Sequence, residues 1–200
     1  MKQSIVTLDM EGVLTPEIWI AVAEKTGIED LRRTTRDEPD YDVLMRYRLD
    51  ILNRHGIKLS QIQEVIGSLG PKEGALEFLN ELRSLTQVII LSDTFEQFAD
   101  PFMRQLQRPT LLCHQLVVEN DVIKDYQLRV PDQKRKAVAA LKSLNYNVIS
   151  AGDSYNDTTM LLEAHVGFLI HAPENVKQEF PQFKAAETLP ELLTFLKAEL

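Results

Sequence analysis

Cysteine is almost absent from this chain. The single copy, Cys113, excludes an intrachain disulfide, so a packed core must hold the fold, and a reducing cytoplasm is the expected setting. Long apolar runs are also missing. No stretch approaches the roughly 18 residues of a membrane span, and no basic-then-apolar leader is expected before the first strand. Basic residues are outnumbered: 22 Lys and Arg face 30 Asp and Glu, a net charge of -8 spread along the chain. That argues against nucleic acid as a partner, which requires a basic face. An anionic ligand would then need local positive charge from a metal, a few basic side chains or helix N-termini. Repeats and low-complexity segments are absent. What is present is 44% apolar residues in 200, enough for one domain carrying at most a modest insertion.

The chain is organised around Ile5-Val6-Thr7-Leu8-Asp9-Met10-Glu11-Gly12-Val13-Leu14-Thr15. An apolar run ends in an acid, a second acid follows two residues later, and a glycine then permits a sharp turn. In open α/β sheets ligands bind at the carboxyl ends of the strands. Asp9 and Glu11 are therefore candidates for a nucleophile or metal ligand and a general acid/base. Taken alone, the stretch is equally a strand ending in a solvated acidic turn.

Downstream, Pro16 suits the first turn of a helix, with Thr15 as its cap. Apolar residues from Ile18 to Ala23 give that helix a buried face, and Gly27 ends it. Residues 28–40 are polar and close on a loop signal, Glu38-Pro39-Asp40. Helical periodicity returns from Tyr41 to Asn53, and again after Ser60, which is placed to cap a third helix ended by Gly70-Pro71. Residues 16–71 thus predict an all-helical cap inserted between residues 1–15 and 72–200, packed over the strand ends, with hinges near Thr15 and Gly70-Pro71.

The remainder alternates. A helix is expected from Glu73 to about Ser84, then a strand from Gln87 to Ser92. A helix follows from Phe95 to Leu106 that Pro101 should kink or divide. A hairpin is expected around Asn120-Asp121, then a helix opened by Asp132, a strand from Asn147 to Gly152 and a helix near Asp157. A strand from Val166 to Ile170 and two short helices finish the chain. The expected fold class is α/β, a Rossmann-like doubly wound parallel sheet with an inserted all-helical cap.

A parallel sheet gathers its strand ends on one edge. Asp9/Glu11, Ser92/Asp93, Lys134-Arg135-Lys136 and Asp153-Ser154-Tyr155-Asn156-Asp157 can then converge. Phosphoryl transfer through an aspartyl-phosphate needs this combination: a carboxylate nucleophile, a hard cation, a hydroxyl and a lysine for the phosphate charge, and a second acid to move protons.

In that order the four motifs resemble the haloacid dehalogenase superfamily, and the resemblance covers the whole chain. It implies Asp9 as nucleophile, with Asp9, the Glu11 backbone carbonyl and Asp153 around a Mg²⁺ and Asp157 supporting them. It also implies Ser92 and Lys134 as phosphate ligands, with Asn156 beside the phosphate. Glu11 departs from the usual aspartate by one methylene. With Pro16-Glu17-Ile18-Trp19 and Asp93-Thr94-Phe95, it resembles a branch of bacterial phosphoserine phosphatases also described as phosphoserine–homoserine phosphotransferases. That implies a small-molecule substrate, phosphoserine, with homoserine as a second acceptor beside water. Glu17 would hold the ammonium and Arg48 the carboxylate, a bidentate task for which Arg46 is the rival.

Other readings stay beside these. Another small phosphorylated metabolite fits the same motifs. A slow phospho-acceptor protein fits them less well, because a cap would shut out a partner. A dehalogenase does not need the acids of the fourth motif. Lys134 competes with Arg135 and Lys136, Asp93 is either a ligand contact or a helix cap, and Trp19 reads first as cap packing. Cys113 reads as core, and His55, His114, His165 and His171 lack metal-ligand spacing.

Overall fold

The computed structural model describes residues 2–34, 37–38 and 40–200; Pro39 of the expected loop signal lies outside them. Strand β1 (Ser4–Leu8) runs up the middle of the molecule. After it come α1 (Ile18–Thr26), a short 3-10 turn (Glu29–Arg32), α2 (Tyr41–His55), α3 (Leu59–Leu69) and α4 (Ala75–Leu85). Then follow β2 (Gln87–Phe95), α5 (Glu96–Gln105), β3 (Thr110–Glu119), β4 (Val122–Gln127), α6 (Gln133–Ser143) and β5 (Asn147–Gly152). The chain ends with α7 (Tyr155–Glu163), β6 (Val166–Ile170), α8 (Glu174–Glu179), β7 (Lys184–Ala186) and α9 (Leu189–Glu199).

Among the described residues the strands form one seven-stranded sheet, ordered β4-β3-β2-β1-β5-β6-β7. It is parallel throughout except at the β3–β4 hairpin. Consecutive strand residues face opposite sides, and here both sides are apolar. Ile90 and Ile149 join one core cluster with Phe78, Leu82, Leu192 and Leu196 of α4 and α9. Their neighbours Leu91 and Val148 join the other, with Val138 of α6 and Met160 of α7. This is the doubly wound α/β architecture expected.

Register places the chemistry. Leu8 is level with Ile90 on β2 and Ala151 on β5. Asp9 just past β1, Ser92 within β2 and Asp153 just past β5 therefore stand at one height on three adjacent strands. The chain enters and leaves the helical insertion at one point, where the Lys72 amide donates to the Leu14 carbonyl at 2.9 Å.

Several local expectations are corrected. The first helix of the insertion begins at Ile18, because the Glu11 carboxylate accepts the Ile18 N–H at 2.9 Å. Thr15 does not cap it; its hydroxyl turns inward to the Met10 carbonyl at 3.3 Å. Ser60 does not cap α3, whose first residue is Leu59; its hydroxyl donates to Asp121 at 2.5 Å. Asp132 precedes α6 but its carboxylate serves Arg135 and Thr159 rather than a helix amide. Pro101 does not divide α5. A proline leaves the carbonyl four residues back without its helical donor, and the Gln63 amide fills that place on the Gln97 carbonyl at 2.8 Å. The final strand, β7, was not expected, since three residues carry no readable period.

The hairpin turn does lie at Asn120-Asp121, both at positive φ, as a two-residue turn between twisted strands requires. Its unexpected role is to hold the insertion. Asp125 pairs with Arg46 at 2.7 Å, Asp121 takes Ser60, Tyr126 bonds Asp42, and the rings of Tyr41 and Tyr126 meet edge to face.

Candidate active site

The floor of the site is a buried charge cluster. Asp9 follows β1 directly; its amide donates to the Ala151 carbonyl at 3.0 Å, and its Oδ1 accepts the Met10 N–H at 2.7 Å. Lys134, in the first turn of α6, places Nζ 2.8 Å from Asp9 Oδ1, 2.8 Å from Asp157 Oδ1 and 3.7 Å from Asp93 Oδ2. Asp157 is fully buried, and its other oxygen accepts the Asp153 and Ser154 amides at 2.8 and 3.1 Å. Two glycines make this packing possible. A Cβ on Gly12, whose φ is +78°, would overlap the Asp153 carboxylate, and one on Gly152 would overlap Asp157.

Asp9, Asp153 and Asp157 each offer an oxygen within 4.8 Å of the others. Of the three, Asp9 and Asp157 pair directly with Lys134, while Asp153 has no ion pair among the described residues. Burial, then the charge of Asp157, pushes the Asp9 carboxyl well above its ordinary value, and the same two causes raise Asp153 to about 7. A hard-oxygen donor set with an excess of buried negative charge fits a hard cation. The Glu11 side chain lies outside this cluster, so any part it has in a cation shell rests on its carbonyl.

Glu11 faces the insertion instead. Burial and then the neighbouring charge of Glu17 lift its carboxyl to about 7, against the Ile18 N–H, the Thr94 hydroxyl and Arg48. A carboxyl poised there can both give and take a proton near neutrality.

A cavity of about 260 Å³ lies between this floor and the helices above. Asp9, Glu11, Glu17, Arg48, Ser92, Asp93, Lys134, Asp153 and Asn156 all line it. Of the residues to which the family resemblance assigns a role, only Asp157 does not, being fully buried. Arg46 is exposed on the far side, held by Asp125 and by Asp42 at 3.4 Å. Arg135 is spent on Asp132.

Arg48 is 6% exposed. Its Nη2 donates to the Arg33 carbonyl at 2.7 Å, its Nη1 reaches the Met45 sulfur at 3.8 Å, and its Nε has no partner among the described residues. Burial lowers its pKa to about 10. Asp93 is not a helix cap, since α5 starts at Glu96 with Phe95 before it. Its carboxylate lies 3.4 Å from Gln133 Nε2 and 3.6 Å from His114 Nε2. Burial alone would raise its pKa; Lys134 and then His114 outweigh that and bring it to about 2. An anion there would repel a phosphate oxygen.

Residues 4–165 match the haloacid dehalogenase-like hydrolase family model. The chain belongs to this family. Phosphoserine phosphatase ThrH of Pseudomonas aeruginosa is 63% identical over 196 residues, covering 97% of this chain and 96% of that protein. A phosphoserine phosphatase of Pseudomonas syringae pv. tomato is also 63% identical over 196 residues, covering 97% and 83%. Among solved structures, a substrate-bound phosphoserine phosphatase complex superposes with a TM-score of 0.80 at 19% identity, covering 99% of both chains. A phospho-aspartyl intermediate analogue of phosphoserine phosphatase has a TM-score of 0.80 at 18% identity, covering 98% of this chain and 99% of that one. At those identities the superpositions establish the fold.

This haloacid dehalogenase-like hydrolase also brings to its site residues that the motifs did not single out. Thr94 meets Glu11, Tyr41 donates its hydroxyl to the Asp93 carbonyl at 3.0 Å, and Gln133 donates to the Ser92 carbonyl at 2.5 Å. Gln133 adjoins Lys134 in sequence, which is the one signal it carried; Thr94 stood in the Asp93-Thr94-Phe95 block with no role assigned to it. Tyr41 carried none, because it reads simply as the start of a periodic helix.

Proposed function

We propose that this chain is a Mg²⁺-dependent phosphatase of O-phospho-L-serine, cytoplasmic, with residues 16–71 as a cap over a core made of 1–15 and 72–200. The observation that carries the reading is one cavity with two unlike sides. Asp9 and Lys134 line its floor, and a buried arginine whose Nε has no partner among the described residues lines it from the insertion, with Glu17 within charge reach of both Arg48 and Asp153. Phosphoserine has a phosphate at one end and an ammonium and a carboxylate at the other. The names of the 63%-identical relatives support the same substrate.

In this reading Lys134 and Ser92 bind the phosphate oxygens, Asn156 lies beside them, Glu17 takes the ammonium and Arg48 the carboxylate. An Asp9 carboxylate oxygen attacks phosphorus, the P–O bond to serine breaks, and Glu11 gives its proton to the departing oxygen. Glu11, now a carboxylate, takes a proton from water. The water oxygen attacks phosphorus and Asp9 is released with inorganic phosphate. Mg²⁺ would be held by Asp9, Asp153 and the Glu11 carbonyl, supported by Asp157, and would supply charge neutralisation on the phosphoryl oxygens. Asp93 sets the charge and position of Lys134 rather than touching phosphate.

Homoserine carries the same ammonium and carboxylate as serine, so Glu17 and Arg48 suit it as a second acceptor. A cap that excludes bulk water and binds a second amino acid would favour such transfer. The test is product analysis with phosphoserine and Mg²⁺, with and without homoserine, beside Asp9→Asn. Serine and phosphate that disappear in Asp9→Asn are expected, with phosphohomoserine when homoserine is present. Turnover of an aryl phosphate but not of phosphoserine would point to another small phosphorylated metabolite. Serine release without phosphohomoserine would remove the transferase reading.

A further inference from the structure

Trp19 is the only tryptophan in the chain, and its position is unusual for a packing residue. It is partly buried, lines the cavity, and stands edge to face on Phe98 at 5.4 Å between centroids. Its face carries the Arg48 guanidinium, 4.6 Å from the ring centroid. The other supports of that guanidinium are the Arg33 carbonyl and the Met45 sulfur. None of the three carries a charge; Glu11 and Glu17 act on Arg48 across the cavity, but among the described residues no carboxylate forms an ion pair with it. A carboxylate partner would also have placed it, but would have competed with any anionic ligand.

We propose that Trp19 is a positioning residue. Its ring fixes the plane of the Arg48 guanidinium, so that a substrate carboxylate meets a preoriented cation that no ion pair holds. Trp19 thereby sets the preference for substrates that bear a carboxylate. Phe98 at the edge of the indole keeps the ring from turning, and Phe98 is itself packed edge to face on Phe95 at the end of β2. The orientation of Arg48 is thus referred through Trp19 and Phe98 to the strand that carries Ser92. The same geometry would serve a serine or a homoserine carboxylate, since both meet the guanidinium alike.

The inference rests on the reading of Arg48 as the carboxylate site, and the experiment separates the two. The readout is the ratio of kcat/KM for phosphoserine to that for phosphoethanolamine, which keeps the phosphate and ammonium and lacks the carboxylate. A poorly folded variant lowers both values and leaves the ratio in place. Arg48→Met should collapse the ratio. Trp19→Leu should lower it about tenfold, chiefly through KM for phosphoserine, the scale of a desolvated cation–π contact. Trp19→Phe, which retains a weaker π face, should recover most of that loss. A ratio that falls in Arg48→Met but not in Trp19→Leu would overturn the inference and leave the carboxylate site standing. A Trp19→Phe variant as impaired as Trp19→Leu would also overturn it, because shape rather than the π face would then be at work. A wild-type ratio near one, unchanged in Arg48→Met, would remove the carboxylate site and the inference together.

Discussion

The floor and the roof of the cavity treat charge in opposite ways. On the floor, Lys134 sits within 2.8 Å of both Asp9 and Asp157, and Asp157 is further tied to two backbone amides. Each of these groups answers another, and the geometry stands before any ligand arrives. On the roof, Arg48 is as deeply buried, yet a carbonyl, a thioether and an indole hold it, and one N–H has no partner among the described residues. The difference separates two tasks. Groups that stabilise developing charge work best when fixed in advance. A group that selects a ligand works best when its charge is still to be satisfied, because a substrate lacking the matching group leaves it unpaired.

The sharpest way to break the contrast is to remove the floor's cation. Lys134→Met strands two buried carboxylates. It should cost about 3–5 kcal/mol in metal-free buffer, as the loss of one partner from a buried ion pair does, and should abolish phosphate release. Chemical denaturation with and without Mg²⁺ checks this; an unchanged midpoint would mean that the cluster does not depend on Lys134.

Next in size is Gly12→Ala. A side chain at φ +78° costs about 1–2 kcal/mol, and the new Cβ meets the Asp153 carboxylate. Lower stability, together with weaker Mg²⁺ binding measured by calorimetry, is expected.

A smaller effect sits at the boundary of floor and roof. The Asp93 carboxyl is held near 2, below its ordinary 3.8. A depressed folded-state pKa contributes stability above the unfolded value, and that contribution is lost as pH falls from about 4 through 2. Asp93→Asn should therefore flatten the fall in stability across that window. An equally steep acid transition in the variant would exclude the coupling to Lys134 and His114. The smallest effect should be that of Arg46→Ala. Arg46 is exposed, so stability should move by no more than about 0.5 kcal/mol and KM for phosphoserine should hold, whereas Arg48→Met should raise KM sharply.

The strand-borne part of the site was readable because each of Asp9, Ser92 and Asp153 is fixed by the residue before it. Leu8, Leu91 and Gly152 belong to or end strands whose parallel register is set by buried apolar faces. The polar residues just beyond them must emerge together. Glu11 was readable as an acid, but not as the acceptor that starts α1, because that bond spans seven residues of turn. Pro101 announced a break that Gln63, on a separate helix, prevents. The hairpin's grip on the insertion was invisible, since Arg46 and Asp125 lie 79 positions apart with no shared period.

Sequence alone determined the α/β class, the helical insertion after the first strand, and the convergence of Asp9, Ser92, Lys134 and Asp153 at one edge. Those follow from local hydrophobic period and the chirality of parallel sheets, which act over a few residues and permit few topologies. Tertiary structure alone decided which way the long side chains of the roof point. Arg46 and Arg48 share one helix, two positions apart, and only the packing of that helix against Trp19, the Arg33 carbonyl and the hairpin sends one into the cavity and the other to solvent. A helix exposes side chains all round its axis, so which of them becomes a site is settled by what the helix is laid against.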